Sequence, residues 1–158
     1  QGHLDMTRAL VAVGSNLGRR RNAIESGLRR LNELPQTRIL ATSLLRETAP
    51  RNCPAGSPPF VNGAVTLDTL LSPQDLLHGM QQIEESLGRK RSEPNAPRTL
   101  DLDLILFGDE IVDEPDLIVP HPRADQRSFV LEPAAEVAPD MVHPLLNRTV
   151  KELADTLP

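Results

Sequence analysis

The sequence predicts an α+β domain, a mainly antiparallel sheet flanked by helices, and three observations predict it. Strand-like and helix-like patterns follow one another in the order strand, helix, strand, strand, helix, strand. The chain has 158 residues, enough for one domain with a real core and too few for two comfortable ones. Its apolar and charged fractions, 39% and 25%, are ordinary for a globular protein in water, and no apolar run is long enough to cross a bilayer. One domain over 1–158 is therefore expected. Gln1-Gly2-His3 has the look of a cloning remnant and stays outside the fold argument.

Residues 7–15 read as the first strand, because Leu10, Val11, Ala12 and Val13 form the short continuous apolar run of a strand covered on both faces. Gly14-Ser15-Asn16-Leu17-Gly18 breaks that run. No Gly-Lys-Ser/Thr follows it, so a capped strand-to-helix turn is expected there and not a Walker loop. A helix over 20–34 follows from Ile24, Leu28 and Leu31 at helical spacing and stops at Pro35. Residues 38–47 and 60–69 are the second and third strands, and 49–59, rich in Pro, Gly and Ser, is a mobile loop between them. Ser72-Pro73-Gln74-Asp75 starts the second long helix, with Ser as cap, Pro at the first helical position and an acid three residues after the cap. Leu76, Met80, Ile83 and Leu87 make its buried stripe and Gly88 ends it. Leu77, Gln81 and Glu84 run beside that stripe, so two polar groups lie at the core edge, while His78 points to the surface.

The stretch 100–107 carries the chemistry. In an extended segment side chains alternate, so Leu100, Leu102, Leu104 and Leu106 are expected on a core face and Asp101, Asp103, Ile105 and Phe107 on the other. Two carboxylates about 6 to 7 Å apart along a strand repel unless a cation lies between them, and a hard ion such as Mg²⁺ suits them. A bare Asp-x-Asp is more often the acidic solvent face of a half-exposed strand. Its neighbours point to the first reading: Arg89, Lys90, Arg91 and Arg98, against only Glu93, form a cationic loop that runs into the two aspartates. Arginine forks beside metal-holding carboxylates are what a magnesium-bearing polyphosphate requires.

The three aromatic residues, Phe60, Phe107 and Phe129, are the candidates for stacking on a flat ring. Phe60 and Asn62, two apart on a strand, share a face, and a phenyl face plus a carboxamide could hold a heterocycle and read its amide-like edge. Beyond Phe107 come a turn at Gly108-Asp109-Glu110, a short hairpin returning at 117–119, a rigid turn at Pro120-His121-Pro122-Arg123, a helix from Arg127 through Val137, and a closing helix over 149–157. His121 with Arg123 and Arg127 could meet a phosphate. The net charge of −5 argues against a nucleic-acid or membrane-surface partner. A single cysteine, Cys53, allows no internal disulfide and fits a reducing cytoplasm.

The element order is the split β-α-β arrangement of a ferredoxin-like βαββαβ core with extra C-terminal elements, both long helices on one face. Within it, Val13-Gly14-Ser15-Asn16-Leu17-Gly18, Phe60-Val61-Asn62, Pro97-Arg98-Thr99-Leu100-Asp101-Leu102-Asp103, Val119-Pro120-His121 and Arg127-Ser128-Phe129 together resemble the 6-hydroxymethyl-7,8-dihydropterin pyrophosphokinases, over nearly the whole chain and in the same order. That resemblance implies diphosphate transfer from ATP to the pterin hydroxymethyl group with release of AMP, in folate biosynthesis. It implies two Mg²⁺ ions on Asp101 and Asp103; Arg89 and Arg98 beside them in catalysis; Thr48, Phe60, Asn62, Asp101 and Phe129 around the pterin; and Gln81, Glu84, Arg89, Arg91, Arg98, His121 and Arg127 around ATP. A cytoplasmic monomer whose partners are these two small molecules is expected.

The chain departs from the family where Pro94-Asn95-Ala96 replaces a common Arg-Trp-Gly, removing an aromatic lid, and at Pro122 and Asp116, where a Tyr and a basic residue are common. The loop 89–97 is expected to close on nucleotide. The rival from another class is a non-catalytic ferredoxin-like module that binds a small ligand and regulates a partner; it needs no paired carboxylates beside four cations and makes no AMP.

Overall fold

The computed structural model describes residues 6–15, 20–48, 60–87 and 100–157, except the side chains of Arg20 and Thr48. β1 (Thr7–Ser15) leads to α1 (Arg20–Asn32), β2 (Thr37–Thr42), β3 (Arg46–Thr48) and β4 (Phe60–Thr69), and α2 (Pro73–Ser86) returns the chain to β5 (Asp101–Phe107). The hairpin of β6 (Val112–Glu114) and β7 (Leu117–Val119) follows, then a 3-10 turn at Ala124–Gln126 and α3 (Ser128–Val137). The hairpin of β8 (Val142–His143) and β9 (Arg148–Thr149) and α4 (Val150–Asp155) close it. The sheet runs β2-β4-β1-β5, with β3 beside β4 and every pairing antiparallel. This is the ferredoxin-like order, with β1 and β4 in the middle.

Local chemistry explains the element ends. Ser72 caps α2, its hydroxyl accepting the Asp75 N–H at 3.0 Å, and Thr149 and Glu152 form a reciprocal capping box on α4. α1 stops at Asn32, before the Leu34 expected from sequence, and Asn32 Oδ1 accepts the Ile39 N–H at 2.8 Å as the chain turns into β2. The single strand expected over 38–47 is broken. Register slips between Ile39 and Ala41, and the ladder resumes only at Arg46. Ser43 repairs the gap: its N–H donates to Ala64 O, and its hydroxyl accepts the Ala64 N–H, both at 2.9 Å.

The sheet is covered on both faces. On one, α1 and α2 pack over Ala9, Val11, Val13, Val61, Val65, Leu67, Leu100, Leu102 and Leu104. α1 comes close because Gly27 has no side chain; a Cβ there would meet Leu100 Cδ2 at 2.6 Å. On the other, Leu10, Ala64, Ile105 and Leu106 pack with Val130, Leu131, Ala134, Val150 and Leu153 of α3 and α4. This corrects the strict alternation expected along 100–107. Leu10 pairs with Leu106 and Val11 with Leu104, so Ile105 is an extra residue in β5. A bulge inverts the facing of everything beyond it. Leu106 therefore joins the α3 side, and Phe107, 2% exposed, joins the α1–α2 core. Buried there, Phe107 is no stacking candidate. Among the described residues no helix is long and apolar enough to cross a membrane.

Candidate active site

Cross-strand register builds a floor on the α3 side of the sheet. Gly14 of β1 lies opposite Asn62 of β4 on one flank and Asp101 of β5 on the other; one step along, Ala12 lies between Ala64 and Asp103. The smallest residues thus occupy the centre, with a carboxamide on one side and two carboxylates on the other. Gly14 leaves room for the carboxamide: a Cβ there would meet Asn62 Oδ1 at 2.9 Å, so that side chain would have to shift. Above the floor is a cavity of about 530 Å³, lined by Ala12, Val13, Gly14, Phe60, Asn62, Gly63, Asp101, Asp103, Ile105, His121, Arg127, Ser128, Phe129 and Val130.

The start of α3 forms the opposite wall. Phe129 faces the cavity with the Arg127 guanidinium carbon 5.7 Å from its ring centroid. The far end of α3 is tied to the interrupted edge strand: the Glu136 carboxylate accepts the Leu44 N–H at 2.9 Å and the Arg46 Nη2–H at 2.8 Å. The backbone bond from Leu44, then the Arg46 guanidinium, hold the Glu136 carboxyl below the usual carboxylate range.

His121 joins the site through its backbone, whose N–H donates to Ile105 O at 3.0 Å. Its Nδ1 accepts the Arg123 N–H at 3.4 Å, which leaves the ring proton of the neutral form on Nε2. Burial lowers its pKa below the ordinary 6.5; Asp103 opposes that and the Arg127 and Arg123 charges add to it. Burial thus favours the neutral ring in the unliganded protein. His121 and Asp103 also line a second cavity of about 260 Å³ with Leu77, Leu102, Leu104, Pro115, Asp116, Leu117, Ile118 and Pro122. The two cavities meet at these two side chains.

Phe60, Asn62, Asp101, Asp103, His121, Arg127 and Phe129, far apart in sequence, thus share one cavity. Gln81 and Glu84 line neither cavity. Gln81 is exposed; Glu84 is 5% exposed, and its carboxylate accepts the Leu102 N–H at 2.7 Å. Arg89, Arg91 and Arg98, the loop 89–97, the loop 49–59 with Cys53, the turn residues 16–18, Gly88 and the Thr48 side chain lie outside the described residues. Sequence reasoning missed the small-residue floor and the second cavity, because both depend on which elements are neighbours. Among the described residues no group of three or more His, Cys, Asp or Glu side chains could cage a metal. Two carboxylates lining one cavity instead fit an ion such as Mg²⁺, which takes one or two carboxylates and completes its shell with water and substrate oxygens.

Comparisons with known proteins identify the family. The family model for 7,8-dihydro-6-hydroxymethylpterin-pyrophosphokinase matches residues 10–139. The 2-amino-4-hydroxy-6-hydroxymethyldihydropteridine pyrophosphokinase of Pseudomonas aeruginosa is 48% identical over 134 residues, covering 85% of this chain and 82% of that protein. The protein of that name from Haemophilus influenzae is 36% identical over 153 residues, 95% of each. The folic acid synthesis protein fol1 of Schizosaccharomyces pombe is 35% identical over 150 residues, but this chain spans only 20% of it. In fold, the chain is similar to the crystal structure of Plasmodium falciparum HPPK-DHPS, with TM-score 0.75 and 16% identity over 98% of this chain and 45% of that one. The match to the family model over most of the chain, together with these relatives, shows that the chain belongs to the 7,8-dihydro-6-hydroxymethylpterin-pyrophosphokinase family.

Proposed function

We propose that the two cavities hold the two substrates of the pyrophosphokinase reaction and that Asp103 and His121, common to both, mark where diphosphate passes between them. The chain is an ATP-dependent diphosphotransferase of folate biosynthesis: it moves diphosphate from ATP to the hydroxymethyl group of 6-hydroxymethyl-7,8-dihydropterin and releases AMP. The pterin occupies the larger cavity, between the Phe60 and Phe129 rings, with the Asn62 carboxamide donating to and accepting from its amide-like edge; Thr48, opposite Phe60 in the strand register, adds its backbone. The smaller cavity, where Leu77, Leu102, Leu104, Leu117 and Ile118 meet Asp103, Asp116 and His121, takes the adenine. The triphosphate then runs toward the shared residues, where Arg127 and His121 donate to its oxygens; Gln81, Arg89, Arg91 and Arg98 complete its surroundings, while Glu84, buried against the Leu102 amide, does not touch it.

Asp101 and Asp103 hold Mg²⁺, as two ions delivered with the nucleotide, which neutralise charge on the phosphate oxygens. The pterin hydroxyl oxygen bonds to the β-phosphorus as the bond from that phosphorus to the α,β-bridging oxygen breaks, and AMP departs on that oxygen. The hydroxyl proton passes to solvent or to Asp101. No covalent enzyme intermediate is needed, because alignment and charge neutralisation do most of the work in phosphoryl transfer. A cytoplasmic monomer completes this reading, the single cysteine suiting a reducing cytoplasm.

The observation that carries this reading is that Asp103 and His121 are shared by both cavities. Incubation with Mg·ATP and the hydroxymethyl pterin should yield AMP and the pterin diphosphate in equal amounts. ADP in place of AMP, or no nucleotide product, overturns it. The non-catalytic ligand-binding module loses favour with family membership.

A further inference from the structure

We propose that Glu84 is a positioning residue that holds Asp101 and Asp103 at metal-binding spacing by anchoring the backbone amide between them. In an antiparallel strand successive N–H groups point to opposite edges. The Leu102 N–H donates to Glu84 Oε2 at 2.7 Å, while β5, the last strand of its sheet, pairs on its other side with β1. The amide therefore points off the outer edge of the sheet. Leu102 is 5% exposed, so its N–H needs a protein partner. A neutral acceptor would serve at lower desolvation cost than a carboxylate, and Glu84 is itself 5% exposed.

The anchor is rigid because its helix is. Met80 and Ile83, four and one residues before Glu84, are buried in the core beneath the sheet. Packing of α2 is thereby transmitted through Glu84 and the Leu102 amide to the residues on either side, whose side chains both face the larger cavity. The bond length is that of a charge-assisted hydrogen bond. An outer group that orients metal-holding carboxylates in this way typically changes metal affinity 10- to 100-fold when removed, an order-of-magnitude expectation.

This rests on the reading of Asp101 and Asp103 as the metal-holding pair, so the test separates the two. Mn²⁺ binding, followed by electron paramagnetic resonance with a non-hydrolysable ATP analogue present, and exchange of the Leu102 amide proton, followed by NMR in the unliganded protein, are measured for wild type, Glu84→Gln and Glu84→Leu, with pterin affinity as a control. The Gln variant, which keeps a side-chain acceptor, should retain Leu102 protection and bind Mn²⁺ within about threefold of wild type. The Leu variant should lose that protection and bind Mn²⁺ roughly tenfold or more weakly, with pterin affinity unchanged. Amide protection and Mn²⁺ affinity must move together in any variant that folds; one that loses either and keeps the other overturns the proposal, as does a parallel loss of pterin affinity. If the Leu variant does not fold, the Gln variant alone still decides. Absence of AMP formation by wild type would instead sink the functional reading.

Discussion

The two faces of the sheet differ in what they do with the same strands. Toward α1 and α2, β1, β4 and β5 present an unbroken apolar surface from Ala9 and Leu67 to Leu100. Toward α3 and α4 they are apolar only at one end, where Leu10, Ile105 and Leu106 are covered; at the other, Gly14, Asn62, Asp101 and Asp103 line a cavity. One face is given to stability. The other divides between stability and chemistry, and the bulge at Ile105 marks the division by turning Leu106 under α3 and Phe107 into the opposite core. An uncovered end of a sheet would otherwise be a defect; here polar side chains that share one face make it a site.

If that division is real, substitutions on the two faces should separate activity from stability. The largest effect is expected of Asp103→Ala, which should lower kcat on the order of 10³-fold, as loss of a main charge-stabilising group does. Because Asp103 is exposed, thermal melting should barely move; near-normal turnover would remove it from the reaction. Leu76→Ala, on the opposite face and fully buried, should cost about 2 to 5 kcal/mol of unfolding free energy, read by denaturant titration. Turnover per folded molecule should survive. A selective loss of kcat in this variant would blur the division.

Gly14→Ala tests the floor itself. The added methyl would press on Asn62 Oδ1, so pterin affinity by calorimetry should fall roughly tenfold, about 1.4 kcal/mol, with nucleotide affinity intact. Equal loss of both ligands would argue that the floor serves no single substrate. Removing the α2 cap by Ser72→Ala should cost about 1 kcal/mol and leave both affinities unchanged.

The smallest effect concerns pH. Burial lowers the His143 pKa from 6.5, against an opposing Asp125 charge, while its Nδ1 accepts the Leu145 and Leu146 N–H groups at 3.3 Å. A histidine whose folded pKa lies below its unfolded value binds fewer protons when folded, so its contribution is intact above pH 6.5 and is lost as pH falls from there through the folded pKa. His121 acts in the same direction. Melting temperatures should decline below pH 6.5, and His143→Asn, which keeps an acceptor without a titrating ring, should flatten part of that decline. Parallel curves for the variant and wild type would assign it elsewhere.

Much of this was legible in the one-dimensional chain because it is local. Helical spacing at Leu76, Met80 and Ile83, the Ser72-Pro73 start, and alternation that puts Asp101 and Asp103 on one face each depend on a few neighbouring residues. The Pro-Arg-Thr-Leu-Asp-Leu-Asp block and its companions were enough to indicate the family. What required the folded chain was long-range pairing. The break at Ser43–Leu45 and the bulge at Ile105 arise from register with partner strands, which no local pattern encodes. The floor of Gly14 and Ala12 exists only because β1 lies between β4 and β5. Likewise Glu84 reads from sequence as one more polar residue beside a helix stripe, and only the approach of α2 to the sheet edge sets its carboxylate on the Leu102 amide. Spacing along a chain determines which side chains share a face; only tertiary packing decides which faces meet.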